Sequence, residues 1–324
     1  MKVCVTGGAG FIGSHLVDLL VANGRDVTVI DCLVPEVHRG SETYHNPGAE
    51  YIIHDYDSID WASLPQFDCV YHLAARVAVG ESAYMPEKYM RDNTMKTLKM
   101  LGRLRDAKPG RLVVASSMSV YGANAMPGES DRVMPQSFYG LSKFDQEQQC
   151  IIWGDIYGVP VTALRLFNTY GERQALGNPY TGVVAIFINK MLNGEPPIIY
   201  DDGYQARDFV YAGDVARAFS MAGSGVMPSG VYNVGTGTVT QIRELARRIA
   251  SLLDFDGGVE IPGIHRPGDV PLVCADTAKI EKHWQPEWTL DDGLARTIAW
   301  AKEQGGQDTP DAHGEFAQWL QTLG

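Results

Sequence analysis

The sequence predicts an α/β fold built on a doubly wound parallel sheet, with a smaller C-terminal α/β portion, and three observations predict it. Apolar, β-branched runs alternate with segments of helical apolar spacing through the first half of the chain, the pattern of a parallel sheet covered on both faces. A glycine-rich stretch, Thr6-Gly-Gly-Ala-Gly-Phe-Ile-Gly13, joins the first strand-like run to the first helical one. Beyond Phe167 the alternation gives way to loops rich in Gly, Pro and Asn around shorter elements.

In order, residues 1–6 read as a strand and residues 11–22 as a helix carrying Phe11, Ile12, Leu16, Leu19 and Leu20 on one face. Residues 26–31, 51–53, 68–72, 112–115 and 159–166 read as further strands. Helices are expected over 89–106 and 139–157, then over 183–192, 215–222, 241–253 and 290–302. The tail from Asp311 has helical spacing at Phe316, Trp319, Leu320 and Leu323, suited to docking on the body or on a partner. Residues 1–167 and 168–324 are taken as two portions, the second partly interleaved with the first.

The chain has 324 residues, 45% hydrophobic and 20% charged, a composition ordinary for a soluble globular enzyme. A net charge of −12 argues against a general nucleic-acid binder, which needs a broad basic face. Cys4, Cys32, Cys69, Cys150 and Cys274 are scattered with no paired spacing, as in a reducing compartment. No stretch approaches the ~18 apolar residues of a membrane span, and glycines break the first apolar run at once. A cytoplasmic protein without nucleic-acid or membrane partners is expected. No His, Cys or Asp cluster has metal-ligand spacing, so no metal is expected.

The glycine loop follows a strand and opens a helix, the context in which it binds a dinucleotide. Gly7, Gly10 and Gly13 allow a tight turn, close approach to a pyrophosphate and close helix–strand packing. Phe11 and Ile12 open the helix whose unpaired amides face the phosphates. Asp31 ends the second strand roughly 20 residues on, where an acid hydrogen-bonds the adenosine ribose. An acid there repels a 2′-phosphate, and neither Arg25 nor Arg39 directly follows the strand, so NAD is favoured over NADP. This makes residues 1–167 a Rossmann-type NAD-binding portion.

Tyr139-Gly-Leu-Ser-Lys143 starts a helix that puts Tyr139 and Lys143 on one face. A nearby ammonium lowers a phenol's pKa from ~10, so that Tyr139 can take a proton from a hydroxyl. Ser116 and Ser117 end a strand about twenty residues upstream, at the edge where α/β sheets bind ligands.

The loop, Asp31, Asp55, His72-Leu-Ala-Ala75, Asn93, Ser-Ser-Met-Ser-Val-Tyr-Gly, Tyr-x-x-x-Lys and Arg165-Leu-Phe-Asn-Thr-Tyr-Gly171 together resemble the extended short-chain dehydrogenase/reductases, in their NAD-dependent epimerase/dehydratase branch. The resemblance implies that Asp55 and Tyr56 flank the adenine and that Leu73, Ala74, Ala75, Asn93 and Ser116 line the cofactor. It implies Ser117, Tyr139 and Lys143 as the catalytic set, the last two also touching the cofactor. On the substrate side it implies Asn168, Arg207 and Arg266 on a nucleoside diphosphate, Asp269 near its ribose or base, and Val79, Ser82, Ser117 and Met118 near the sugar. It also implies a homodimer packed through the helices over 89–106 and 139–157, whose faces carry Met95, Leu98, Leu101, Ile151 and Ile152.

In this family the residues after the catalytic serine separate the reactions. Dehydratases carry Asp-Glu there, decarboxylases a Glu before the Val, and C3/C5 epimerases often a Cys in this stretch. Met118 and Ser119 offer none of these. Glu129 reads as a solvated loop charge, His72 as a structural histidine, and Met118 as an apolar filler. The remaining reaction is transient oxidation at C4 and hydride return to the other face, on a dTDP- or UDP-linked sugar. The stretches 116–122 and 173–182 resemble most those of the subgroup acting on dTDP-L-rhamnose. The apolar residues 77–79 suit a 6-deoxy sugar, whereas Arg76 would suit a C6 carboxylate, although its more ordinary role is a solvent or cofactor-phosphate contact. Two alternatives stay open: a 4-dehydrogenase or 4-ketoreductase with net redox, and a non-catalytic NAD-binding relative.

Overall fold

A computed structural model describes residues 1–38, 44–178, 180–263 and 270–308. The expected C-terminal helix from Asp311, together with Arg39, Arg266 and Asp269, lies outside these residues.

The first half alternates as its apolar periodicity requires. Strand β1 (Lys2–Thr6) leads through the glycine turn into α1 (Phe11–Ala22), then β2 (Asp26–Asp31), α2 (Pro35–His38) and β3 (Ala49–Ile53). Strand β4 (Cys69–His72), short helices α3 (Val79–Tyr84) and α4 (Pro86–Tyr89), α5 (Lys96–Leu104), β5 (Leu112–Ser117), α6 (Phe138–Tyr157) and β6 (Val161–Leu166) come next. The second half contributes β7 (Asn168–Tyr170), α7 (Val183–Leu192), β8 (Ala206–Tyr211), α8 (Ala212–Ser224), β9 (Gly230–Val234), β10 (Val239–Gln241), α9 (Ile242–Leu253), β11 (Leu272–Val273) and α10 (Leu290–Gln304).

Seven strands form one parallel sheet in the order β3-β2-β1-β4-β5-β6-β9. The order reverses between β1 and β4, and the crevice beyond the strand ends at such a reversal is where ligands bind. On one face α1 and α8 pack on Val5, Leu16, Val29, Val113 and Phe219. On the other, α5 and α6 bury Met100, Leu104, Cys150 and Trp153. A small second sheet is centred on β8, with β10 and β11 beside its first residues and β7 beside its last. A third core lies around Phe187, Ile188, Leu245 and Leu294.

Two features depart from the expected elements. The helix foreseen over 89–106 is not one uniform α-helix: Met90–Met95 makes a π-helical turn between α4 and α5. The main sheet also takes its last strand, β9, from the second half, where β6 pairs with it from Thr162–Gly230 to Leu166–Val234.

Candidate active site

The end of β1 and the start of α1 form a cradle. Gly7 sits at φ +73°, and a Cβ there would lie 2.7 Å from the Ala74 amide nitrogen. A Cβ at Gly13 would collide with the Gly7 carbonyl oxygen. Gly10 opens α1 with no side-chain cap, so the helix keeps its first-turn amides and partial positive charge for an anion. Asp31 braces this turn, accepting from the Ala9 amide at 3.0 Å and from Leu33 at 3.0 Å. Asp55 bonds Lys96 through Oδ2, while its Oδ1 is buried without a partner. An unpartnered buried acceptor is costly, and one here fits an amino group such as that of adenine. These residues fit a dinucleotide.

Leu73 and Ala74 cross directly over the cradle, their amides donating to the Thr6 carbonyl and hydroxyl at 3.1 and 3.4 Å. Three expected cofactor contacts have side chains committed elsewhere. Tyr56 turns into the core, donating to the Asp92 carbonyl at 2.9 Å with its ring edge on His72, which leaves only its backbone to meet adenine. Asn93, on the π-helical turn, clamps Arg76 by accepting from its amide at 2.7 Å and donating to its carbonyl at 3.0 Å. Ser116 donates to Glu147 at 2.6 Å. Each is a polar group in a dry interior, where a partner within the protein outweighs a distant one.

Helix α6 carries the reactive set. Ser137 caps it, accepting from the Gly140 amide at 3.0 Å, so that Tyr139 and Lys143 enter the first two turns at the end of β5. Burial raises the Tyr139 phenol above its ordinary value, and a hydrogen bond from Ser117 pulls it back down. Burial drives Lys143 down to about 7. Contrary to expectation, the ammonium does not bear on the phenol: it donates to Gln146 Oε1, one turn further along α6. A buried ammonium needs an oxygen acceptor, and this side chain supplies it. His72 is structural, as foreseen. It bonds Thr6 Oγ1 at 2.7 Å and Gln146 Nε2 at 2.8 Å, and burial drives it to about 3.

Beneath the set lies a buried ion pair that the motifs did not reveal. Arg165 donates to Glu147 through Nε at 2.9 Å and Nη2 at 2.6 Å, and to the Tyr121 hydroxyl at 2.8 Å. The Tyr121 hydroxyl in turn donates to Asn233 Oδ1 on β9 at 2.7 Å. Glu129 is no solvated charge, because its carboxylate accepts from the Asn233 amide at 2.8 Å. The one signal in the sequence was the pair of polar residues Gln146 and Glu147 one helical turn beyond Lys143.

On the substrate side, Asn168 stands on β7 with Oδ1 buried and unpartnered, beside a pocket of about 80 Å³ lined also by Gln174 and Phe209. The register Asn168–Phe209 puts Arg207 on the neighbouring strand, two residues back. Arg207 is buried and donates to the Ala206 carbonyl at 2.9 Å. Met118 packs with Phe167, Val273 and Ala275. Val79 is exposed at the start of α3, whereas Ser82 is fully buried and donates to the Val79 carbonyl at 2.7 Å. Arg76 pairs with Asp92 at 3.0 Å.

A doubly wound sheet with a glycine cradle at its reversal point, next to a Ser-Tyr-Lys set whose Ser117 and Lys143 are buried, defines a dinucleotide-dependent enzyme of the short-chain dehydrogenase/reductase type. The NAD dependent epimerase/dehydratase family model matches residues 3–235, and the chain belongs to that family. It is 38% identical over 307 residues to a Methanocaldococcus jannaschii protein assigned as a UDP-glucose 4-epimerase, covering 93% of this chain and 98% of that one. It is 30% identical over 354 residues to the dTDP-L-rhamnose 4-epimerase of Burkholderia thailandensis, covering 94% and 95%. Among solved structures, the UDP-N-acetylglucosamine 4-epimerase of Methanobrevibacter ruminantium M1, in complex with UDP-N-acetylmuramic acid, superposes with a TM-score of 0.87. Its identity is 34%, with 94% of this chain and 98% of that one covered. The enzyme is thus NAD-dependent and of the extended type. Among the described residues no helix is long and apolar enough to cross a membrane, and no group of three His, Cys, Asp or Glu is placed to hold a metal ion.

Proposed function

We propose that the protein inverts C4 of a UDP- or dTDP-linked sugar through a transient 4-keto intermediate, with Ser117, Tyr139 and Lys143 as its catalytic residues. The observation that carries this reading is the chemistry of the two residues after the catalytic serine. Met118 packs into an apolar cluster and Ser119 only donates its amide to Ser117 Oγ at 3.1 Å, so no carboxylate or thiol stands there for elimination, decarboxylation or enolisation. Relatives named as 4-epimerases support it.

NAD, held by the Gly7–Gly13 cradle, would supply the hydride acceptor and donor for C4. Ser117 Oγ orients the O4 hydroxyl, and Tyr139 takes and later returns its proton. Lys143 would bond the nicotinamide ribose hydroxyls of the cofactor. Asn168, through its side-chain N–H, and Arg207 hold the diphosphate, with Arg266 as a third donor and Asp269 toward the nucleoside. We assign residues 1–167 to cofactor binding and catalysis and 168–324 to the nucleotide sugar. Met95, Leu98 and Ile152 are half exposed, whereas Leu101 is buried, which supports a homodimer seated on the first three.

The test is incubation with UDP-, dTDP- and GDP-sugars, with NMR of C4 inversion in deuterated water as the readout. Inversion without deuterium at C3 or C5 is expected. Deuterium there, or stoichiometric reduction of added NAD, overturns the reading.

A further inference from the structure

A short polar chain runs from the cofactor turn to the reactive lysine. Its order is set by which groups can donate. Lys143 has only donors, so the Gln146 atom facing it must be Oε1. The amide's Nε2 then faces His72 Nε2 at 2.8 Å and Thr97 Oγ1 at 2.9 Å. His72 must therefore keep a lone pair on Nε2 and carry its proton on Nδ1, donating to Thr6 Oγ1 at 2.7 Å. Thr6 in turn accepts from Ala74, whose nitrogen backs the Gly7 turn. Gln146, His72, Thr97 and Thr6 are all fully buried, so water cannot substitute for a missing member.

We infer that Gln146 is a positioning residue for Lys143, its amide fixed by His72 and Thr97 so that one oxygen holds the ammonium in place and in its charged form. The inference rests on the reading of Lys143 as catalytic. The titratable groups facing Lys143 are Glu147 and Cys150 on α6 and His72 on β4, with Tyr56 behind His72. Burial of the lysine works against its charge, Glu147 works for it, and His72 is neutral across the working range. The acceptor that Gln146 supplies is neutral, so replacing it moves the lysine in a direction set by the replacement alone.

The experiment is a pH titration of the Lys143 ε-carbon resonance in protein carrying 13C-labelled lysine, assigned by its loss in Lys143→Met. Gln146→Met removes the acceptor and lowers the titration midpoint by about one pH unit; Gln146→Glu adds a facing carboxylate and raises it by about one to three. Turnover of UDP-glucose is followed in parallel, and its alkaline limb shifts in the same direction as each midpoint. A purely structural role for Gln146 leaves both midpoints at the wild-type value, and that result overturns the inference. Should Gln146→Met fail to fold, Thr97→Val, close in shape, loosens the amide and lowers the midpoint in the same sense; no movement there also overturns it. Lys143→Met separates the two readings. If it is inactive while the Gln146 midpoints stay fixed, only the positioning role falls; if it turns over like wild type, the catalytic reading falls and the positioning role with it.

Discussion

The Arg165–Glu147 pair makes a quantitative prediction whose sign is unusual for a destabilising mutation. Both side chains are almost fully buried, and their two hydrogen bonds are short. Burial pulls Arg165 down, yet the bonds and charge of Glu147 hold it above its ordinary value. Glu147→Leu strands the guanidinium in a dry interior and is expected to cost about 3–5 kcal/mol, as for other broken buried pairs. Arg165→Met strands the carboxylate and costs a similar amount. Glu147→Leu with Arg165→Met leaves no buried charge. Its main remaining cost is the Ser116 hydroxyl, which loses its acceptor at 2.6 Å, about 1–3 kcal/mol, while the Tyr121 hydroxyl loses a donor but keeps Asn233. The double variant is therefore expected to be more stable than either single one. Urea unfolding at pH 7, with the slope checked for constancy, gives the cycle. Single-variant costs that add to within about 0.5 kcal/mol would refute a coupled ion pair.

Three further outcomes are expected. Tyr139→Phe lowers turnover by about 10²–10⁴-fold while co-purified NAD, released by denaturation and assayed, stays at the wild-type level. Gly13→Ala drives a methyl into the Gly7 carbonyl and lowers both NAD content and melting temperature, measured on the same preparation. His72 titrates at about 3 when folded and at about 6.5 when unfolded, so the unfolded chain binds the extra proton between these values. Its share of stability is complete above pH 6.5 and fades as pH falls toward 3, by up to about 5 kcal/mol. His72→Gln flattens that part of the pH dependence in urea unfolding, and an unchanged slope between about pH 4 and 7 would count against it.

The cofactor half was legible because its information is local. A strand, a glycine turn, a helix and an acid succeed one another in the sequence as they do in space. Tyr139 and Lys143 were legible for the same reason, four residues apart on one helix. Local spacing did not carry the direction in which the lysine points. Its acceptor is chosen by His72 and Thr97, residues from β4 and α5 that meet α6 only after the sheet has formed. Asn93 matches a motif, but the π-helical turn around it swings the side chain onto the Arg76 backbone. Strand β8 went unrecognised because Arg207 and Asp208 put two charges next to each other in what is otherwise a short apolar run. In the fold Asp208 is buried and accepts from the Thr236 amide and hydroxyl and from the Gly237 amide, partners almost thirty residues away.

The position of β9 constrains how such a chain can change over time. The unit that binds the dinucleotide is completed by a segment encoded some seventy residues after the catalytic helix. A gene fragment ending near residue 167 would yield a sheet with β6 as a bare rim, a template for pairing with other copies. The half assigned to the sugar nucleotide therefore cannot be exchanged as a cassette by recombination at that boundary. New preferences must come through substitutions in loops and pocket walls, with the frame left intact.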